Sequence, residues 1–160
     1  MSKKLPQPSS PAKDILKGAL AGLIGGLIAT AAKSYAEKLY PPRTHGEPEP
    51  PALLAEKLGE PHFETGEKKV VEESIHWAFG AAAGAAYGAI AEIYPQVTAR
   101  YGANFGMTLM AVTHEGILPA LGLSAPPPEQ EGREKRSEIV THTVYGVVCE
   151  TVRMAVRKAL

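Results

Sequence analysis

The sequence has few of the residues on which many soluble enzymes depend. Its single cysteine, Cys149, excludes an internal disulfide framework and a cysteine-rich metal site. Its only aspartate is Asp14, and aromatic residues make up 6% of the chain. Basic and acidic residues both number 17, so the net charge gives no argument for a nucleic-acid partner. A phosphate-binding loop, a dinucleotide fingerprint, a nucleophile elbow and a zinc-protease motif are also missing. We therefore do not expect an enzyme of standard mechanism.

The distribution of the charges indicates a membrane protein, although the mean hydropathy of -0.10 is that of a soluble one. No charged residue lies between Lys17 and Lys33. At about 1.5 Å per residue, this run covers most of a hydrocarbon core of about 30 Å. We expect the two flanking lysines to extend toward the lipid headgroups. Four segments of this kind predict four transmembrane helices: 15–32, 75–94, 101–123 and 138–156.

The remaining residues divide into an arm and two loops. Residues 1–14 form a polar N-terminal arm, and residues 15–160 form the predicted membrane domain. Within that domain, polar loops are expected at 41–74, with a short amphipathic helix near 52–58, and at 124–137. A cleaved signal peptide is the alternative for the first segment, and an amphipathic surface helix is the alternative for the fourth. In the fourth segment we expect Arg153 to pair with Glu150, three residues earlier.

Regularly spaced glycines favour a membrane bundle over a soluble one. Residues four apart lie on one face of a helix, so glycines at that spacing form a groove without side chains. Such grooves let membrane helices pack closely, whereas each interior glycine costs a soluble helix about 1 kcal/mol relative to alanine. The sequence therefore predicts an all-α integral membrane bundle with glycine-mediated helix packing, with a soluble helical bundle as the alternative. The two triple sets are Gly18, Gly22, Gly26 and Gly80, Gly84, Gly88, and a shorter set is Gly102 and Gly106.

Positive charge at both ends of the chain predicts the orientation. Lysines are concentrated in the N-terminal arm, and Arg157 and Lys158 lie near the C-terminus. Basic segments remain in the cytoplasm, so both termini are expected there and the two polar loops on the outer side.

Ionisable residues inside the predicted spans are candidates for a functional site, because they are costly in a membrane. With this orientation, His76, His114, Glu115, Glu138 and His142 all fall in the outer half of the bundle. Histidine and carboxylate can bind zinc, manganese or iron, and they can also relay protons. Two histidines on facing helices could instead hold a haem. In a purely structural alternative, the histidines cap helices or bond neighbouring carbonyls.

Three stretches resemble the YagU family of small bacterial inner-membrane proteins. They are HWAFGAAAGAAYGAIAEIYP from residue 76, HEGILPALGLSAPP from residue 114 and SEIVTHTVYG from residue 137. The resemblance implies a multi-span protein of the bacterial inner membrane. Its landmarks include His76, His114, Glu138 and His142. It implies no mechanism, because the family is not biochemically understood.

Two functions follow as hypotheses. The first is proton or metal-ion handling, or a response to pH, at the histidine and carboxylate residues. The second is a non-catalytic structural subunit or assembly factor of a larger membrane complex. The expected partners are the lipid bilayer and either a second copy of the chain or other membrane subunits. We do not expect a nucleic-acid partner.

Overall fold

The computed structural model describes residues 10–44, 46–58 and 65–160, and this part of the chain is all-α. The predicted all-α fold is thus confirmed. Residues 1–9 of the predicted arm and residues 45 and 59–64 of the first predicted loop lie outside the described residues. The helices are α1 (Pro11–Leu39), α2 (Pro50–Lys57), α3 (Thr65–Ile93), α4 (Ala103–Met110), α5 (Leu118–Ala120) and α6 (Gly132–Ala159). A 3-10 segment, Pro95–Gly102, precedes α4, and a π-helix, Ala111–Ile117, joins α4 to α5.

The long helices extend well beyond the apolar segments. The first helix begins with Pro11 at a position where its missing N–H costs nothing. The third begins at Thr65, so residues 65–74 are helical although we predicted a loop there, and α6 likewise begins before Glu138. Glutamate, lysine and arginine favour helix almost as strongly as leucine does. An absence of charge therefore marks the apolar part of a helix and not its ends.

Glycines of α1 and α3 face one another where the two helices cross. A Cβ atom added to Gly26 would lie 2.5 Å from the carbonyl oxygen of Gly80. One added to Gly88 would lie 2.8 Å from the Cα atom of Gly22. Real Cβ atoms do not approach other atoms so closely, so only glycine allows this helix separation.

The sixth helix packs against α1 and α4 in the same way. A Cβ atom on Gly25 would lie 2.6 Å from the carbonyl oxygen of Cys149. On the other side of α6, one on Gly146 would lie 2.7 Å from the backbone nitrogen of Gly106. Gly25 and Gly146 do not belong to the regular glycine sets, so the spacing rule did not single them out.

The chain turns sharply before α4, because Arg100 and Tyr101 adopt left-handed conformations with φ of 55° and 54°.

The first helix has small residues on its inner face and large apolar residues on its outer face. On α1 the buried residues are glycine, alanine and Thr30. The leucines and isoleucines of that helix face outward, with exposed fractions of 61% for Leu16, 47% for Leu20 and 48% for Ile28. Among the described helices, α1 alone has the length and the apolar composition needed to cross a bilayer. All four predicted spans stay predictions.

Candidate functional site

A cavity of about 580 Å³ opens at the end of the bundle where α1 ends and α6 begins. Its walls come from α1, α2, α3, the π-helix and α6. Apolar wall residues include Leu54, Phe79 and Leu109, and the polar ones include Lys33, His76, His114, Glu138 and His142. A mostly apolar cavity of this size with a few convergent polar groups is typical of a ligand site.

The short helix α2 forms one side of this cavity and is held in place by ion pairs and a hydrogen bond. Arg43 donates to Glu49 at 2.5 Å and to Glu134 at 2.8 Å. At the other end of α2, the Lys57 ammonium donates to the carbonyl oxygen of Leu121 at 2.5 Å. These contacts connect α2 to α6 and to the turn after α5.

The π-helix places His114 on the cavity wall. In a π-helix each N–H bonds the carbonyl five residues earlier. Pro119 lies five residues after His114 but has no N–H, so it cannot donate a hydrogen bond to the His114 carbonyl. The side chain of Gln130 takes its place, and its Nε2 donates to the His114 carbonyl oxygen at 3.0 Å. Isolated π-helical turns are common at functional sites.

Glu138 and His142 lie four residues apart and therefore share one face of α6. Both are buried, with 3% and 4% of their surface exposed. His142 Nδ1 lies 3.0 Å from the backbone oxygen of Glu138, within hydrogen-bonding distance.

Three buried side chains meet at the Glu138 carboxylate. Its Oε2 atom lies 3.4 Å from His114 Nε2 and 3.2 Å from His142 Nδ1. One potential ligand atom from each of the three residues lies within 4.8 Å of the others, close enough to bind one metal ion. Glu138 Oε2 accepts no hydrogen bond despite its burial. A buried carboxylate oxygen without a donor is costly, so a bound cation would satisfy it.

The other predicted site residues lie elsewhere. His76 is half-buried on the cavity wall, and its Nε2 is 3.1 Å from Ser34 Oγ. Glu115 is exposed, and the structure does not bring it to the three buried residues. His114, Glu138 and His142 are thus the members of the predicted set that meet.

Lys33 belongs to the site although we expected it to extend toward headgroups. Only 11% of its side chain is exposed, and its ammonium lies 3.9 Å from Glu138 Oε2. It also forms an ion pair with Glu37, one turn further along α1. Lys33 follows the buried Thr30 by three residues, a spacing that places both on one helix face. That register is the sequence signal for its inward position.

A second polar network lies at the opposite end of the bundle. Arg153 donates to Glu150 at 2.6 and 2.8 Å, as the sequence predicted. The hydroxyl of Tyr87 donates to Glu150 at 2.8 Å, and Arg157 pairs with Glu92 at 2.8 Å. These contacts connect α6 to α3.

An aromatic stack connects this network to the cavity wall. The rings of Tyr87 and Phe105 are parallel with centroids 4.0 Å apart, and Tyr145 lies 6.0 Å beyond Phe105. The Tyr145 hydroxyl donates to the Gly80 carbonyl at 2.5 Å and lies at the cavity wall. Tyr145 is therefore the member of the stack that lines the cavity.

One family matches the chain, described as a protein of unknown function (DUF1440), over residues 27–151. The chain matches no curated protein and no solved structure. The matched region contains the three buried residues and the cavity. The resemblance to the YagU family stays a prediction.

Proposed function

The chain belongs to the DUF1440 family of unknown function, and we propose that it is a multi-pass membrane protein that binds a divalent transition-metal ion at His114, Glu138 and His142. The observation that carries the proposal is the meeting of two imidazoles at a buried carboxylate oxygen that accepts no hydrogen bond.

The inverted distribution of polarity supports a membrane location. Water favours polar surfaces and apolar cores, but here the outward face of α1 is leucine and isoleucine. The interior contains Glu138, His142, Glu150 and Arg153. Lipid reverses the usual preference, and close glycine contacts are the usual means by which membrane helices associate. The basic termini favour an orientation with both ends in the cytoplasm and the cavity toward the outer side of a bacterial inner membrane.

The composition of the buried cluster supports a metal ion. Two imidazoles and one carboxylate suit zinc, manganese and iron, and they leave coordination positions free for other ligands. The cavity provides a path by which an ion could reach them. A haem fits less well, because the Glu138 carboxylate contacts both imidazoles and the two ring centroids are only 5.0 Å apart.

A cobalt titration of the purified protein tests the proposal. Four-coordinate Co²⁺ bound by histidine and carboxylate gives visible absorption that reports site occupancy. We expect saturable binding of one ion per chain, which Zn²⁺ displaces. Replacement of any cluster residue by His114→Ala, Glu138→Gln or His142→Ala should abolish it. His76→Ala is the matched control, since His76 lies in the same cavity but outside the cluster. Equal binding by wild type and Glu138→Gln would refute the proposal.

A structural role in a larger membrane complex is the second candidate. The apolar outward faces of α1 and α3, which include Ile28, Phe79 and Ile90, suit protein neighbours as well as lipid. Native electrophoresis of gently solubilised membranes distinguishes the two. Co-migration with a larger complex would favour the second function, and migration as a lone chain would oppose it.

A further inference from the structure

Lys33 occupies an unusual position beside the proposed metal ligands. Its ammonium lies 3.9 Å from the Glu138 oxygen that accepts no hydrogen bond, and it also pairs with Glu37. Lys33 and Glu138 are both largely buried, with side-chain exposures of 11% and 3%. Charges this close in a poorly solvated site interact strongly.

We propose that Lys33 competes with the metal ion for Glu138 and thereby lowers the affinity of the site. The inference rests on the proposed metal-binding function. Without an ion, the ammonium neutralises the buried carboxylate. When an ion binds, the ammonium moves away from Glu138 and keeps its existing contact with Glu37. No proton has to leave Lys33 in this exchange.

The geometry suits such an exchange. Lysine carries a compact charge on a flexible chain, so small rotations move its ammonium between two neighbouring acceptors. Glu37 lies one turn beyond Lys33 on the same helix and contacts it already. Moving the ammonium therefore does not expose an unpaired charge.

Two consequences follow for the ions that bind. A metal ion must displace an existing ion pair, so the affinity is lower than three ligands alone would give. This cost is the same for every divalent ion, so the imidazole ligands, and not Lys33, favour Co²⁺ and Zn²⁺ over Mg²⁺ and Ca²⁺, which prefer oxygen ligands. Removal of the ammonium should strengthen binding, whereas loss of a merely structural residue should weaken it.

The test compares Co²⁺ affinity in Lys33→Gln and Lys38→Gln. Lys38 also lines the cavity but is exposed, so its variant is the matched control. We expect Lys33→Gln to bind Co²⁺ about ten-fold more tightly than wild type, from the Coulomb repulsion removed. Lys38→Gln should bind as wild type does. Without metal, Lys33→Gln should unfold at a lower temperature, and Co²⁺ should raise that temperature more than in wild type.

A second variant pair keeps the proposal testable if Lys33→Gln folds poorly. Glu37→Gln removes the alternative partner and should weaken Co²⁺ binding several-fold. Adding Lys33→Gln to it should then restore tight binding. Unchanged or weaker affinity in the folded Lys33→Gln protein, or no recovery in the double variant, would overturn the inference. If wild type itself binds no Co²⁺, the proposed function fails instead.

Discussion

Gln130 donates a hydrogen bond to the backbone carbonyl of His114 at 3.0 Å. This is the carbonyl that Pro119 cannot reach with a backbone donor, so the contact completes the π-helix that positions the imidazole. The geometry of the cluster therefore depends on a residue in the loop before α6.

Loss of the Gln130 amide should disturb the site from a distance. In Gln130→Ala, the His114 carbonyl loses its side-chain donor, which costs roughly 1–2 kcal/mol of stability. We expect a several-fold loss of Co²⁺ affinity as the imidazole becomes less well positioned. Gln96→Ala, at an exposed position in the segment before α4, is the control and should change neither quantity. An unchanged Co²⁺ affinity in folded Gln130→Ala would show that the hydrogen bond does not position His114.

Side chains at the glycine contact between α1 and α3 should be severely destabilising. A Cβ atom on Gly84 would lie 2.6 Å from the Cα atom of Gly26. That Cα atom belongs to the backbone and cannot rotate away. Gly84→Val should therefore cost on the order of 3 kcal/mol or more by overpacking. Thermal unfolding in detergent measures the loss.

Gly66→Ala is the matched control, because Gly66 belongs to the same helix and has open space around its Cβ position. That change should leave the unfolding temperature unchanged or raise it slightly. Equal stability of the two variants would contradict the close approach of α1 and α3.

Arg153 and Glu150 form a buried ion pair. Replacing one of the two residues should destabilise the protein more than replacing both by apolar residues. Arg153→Ala leaves the Glu150 carboxylate buried without its cation and should cost about 3–5 kcal/mol. Replacing both residues by methionine removes both charges and should recover much of that stability. Unfolding in detergent compares the variants, with the exposed Lys158→Ala as control. A double variant less stable than Arg153→Ala would contradict this account.

The outward face of α1 distinguishes lipid from water. Ile24 is 40% exposed in the middle of the helix, and Leu39 is 70% exposed at its end. Arginine at the centre of a membrane span costs roughly 2.5–3.5 kcal/mol, whereas on a water-exposed surface it is nearly neutral. We expect Ile24→Arg to reduce the amount of protein in the membrane fraction sharply and Leu39→Arg to have little effect. Equal membrane fractions for the two variants would place this face in water.

Much of the helical structure follows from local patterns, and the differences have physical causes. Gly22 and Gly84, which belong to the two regularly spaced glycine sets, approach each other closely in the structure. The spacing could not identify Gly25 or Gly146, because a single glycine has no period. Helix ends were misplaced because charge limits membrane burial and not helix formation, as residues 65–74 demonstrate.

The site was less predictable than the fold. Spacing on one helix relates Glu138 to His142, but the meeting with His114 depends on the packing of α4 against α6. Glu115 lies in the same π-helix as His114, but it is exposed whereas His114 is buried. Lys33 was assigned to the headgroup region because it ends an uncharged run, and its register with Thr30 determines its inward direction instead.

X-ray absorption spectroscopy of the Zn²⁺-loaded protein tests the metal site most directly. We expect two histidine nitrogens and at least one oxygen at roughly 2.0–2.2 Å from the ion. In Glu138→Gln the zinc should no longer remain bound through gel filtration. A first shell of oxygen atoms without histidine in the wild type would contradict the assignment of His114, Glu138 and His142 as the ligands.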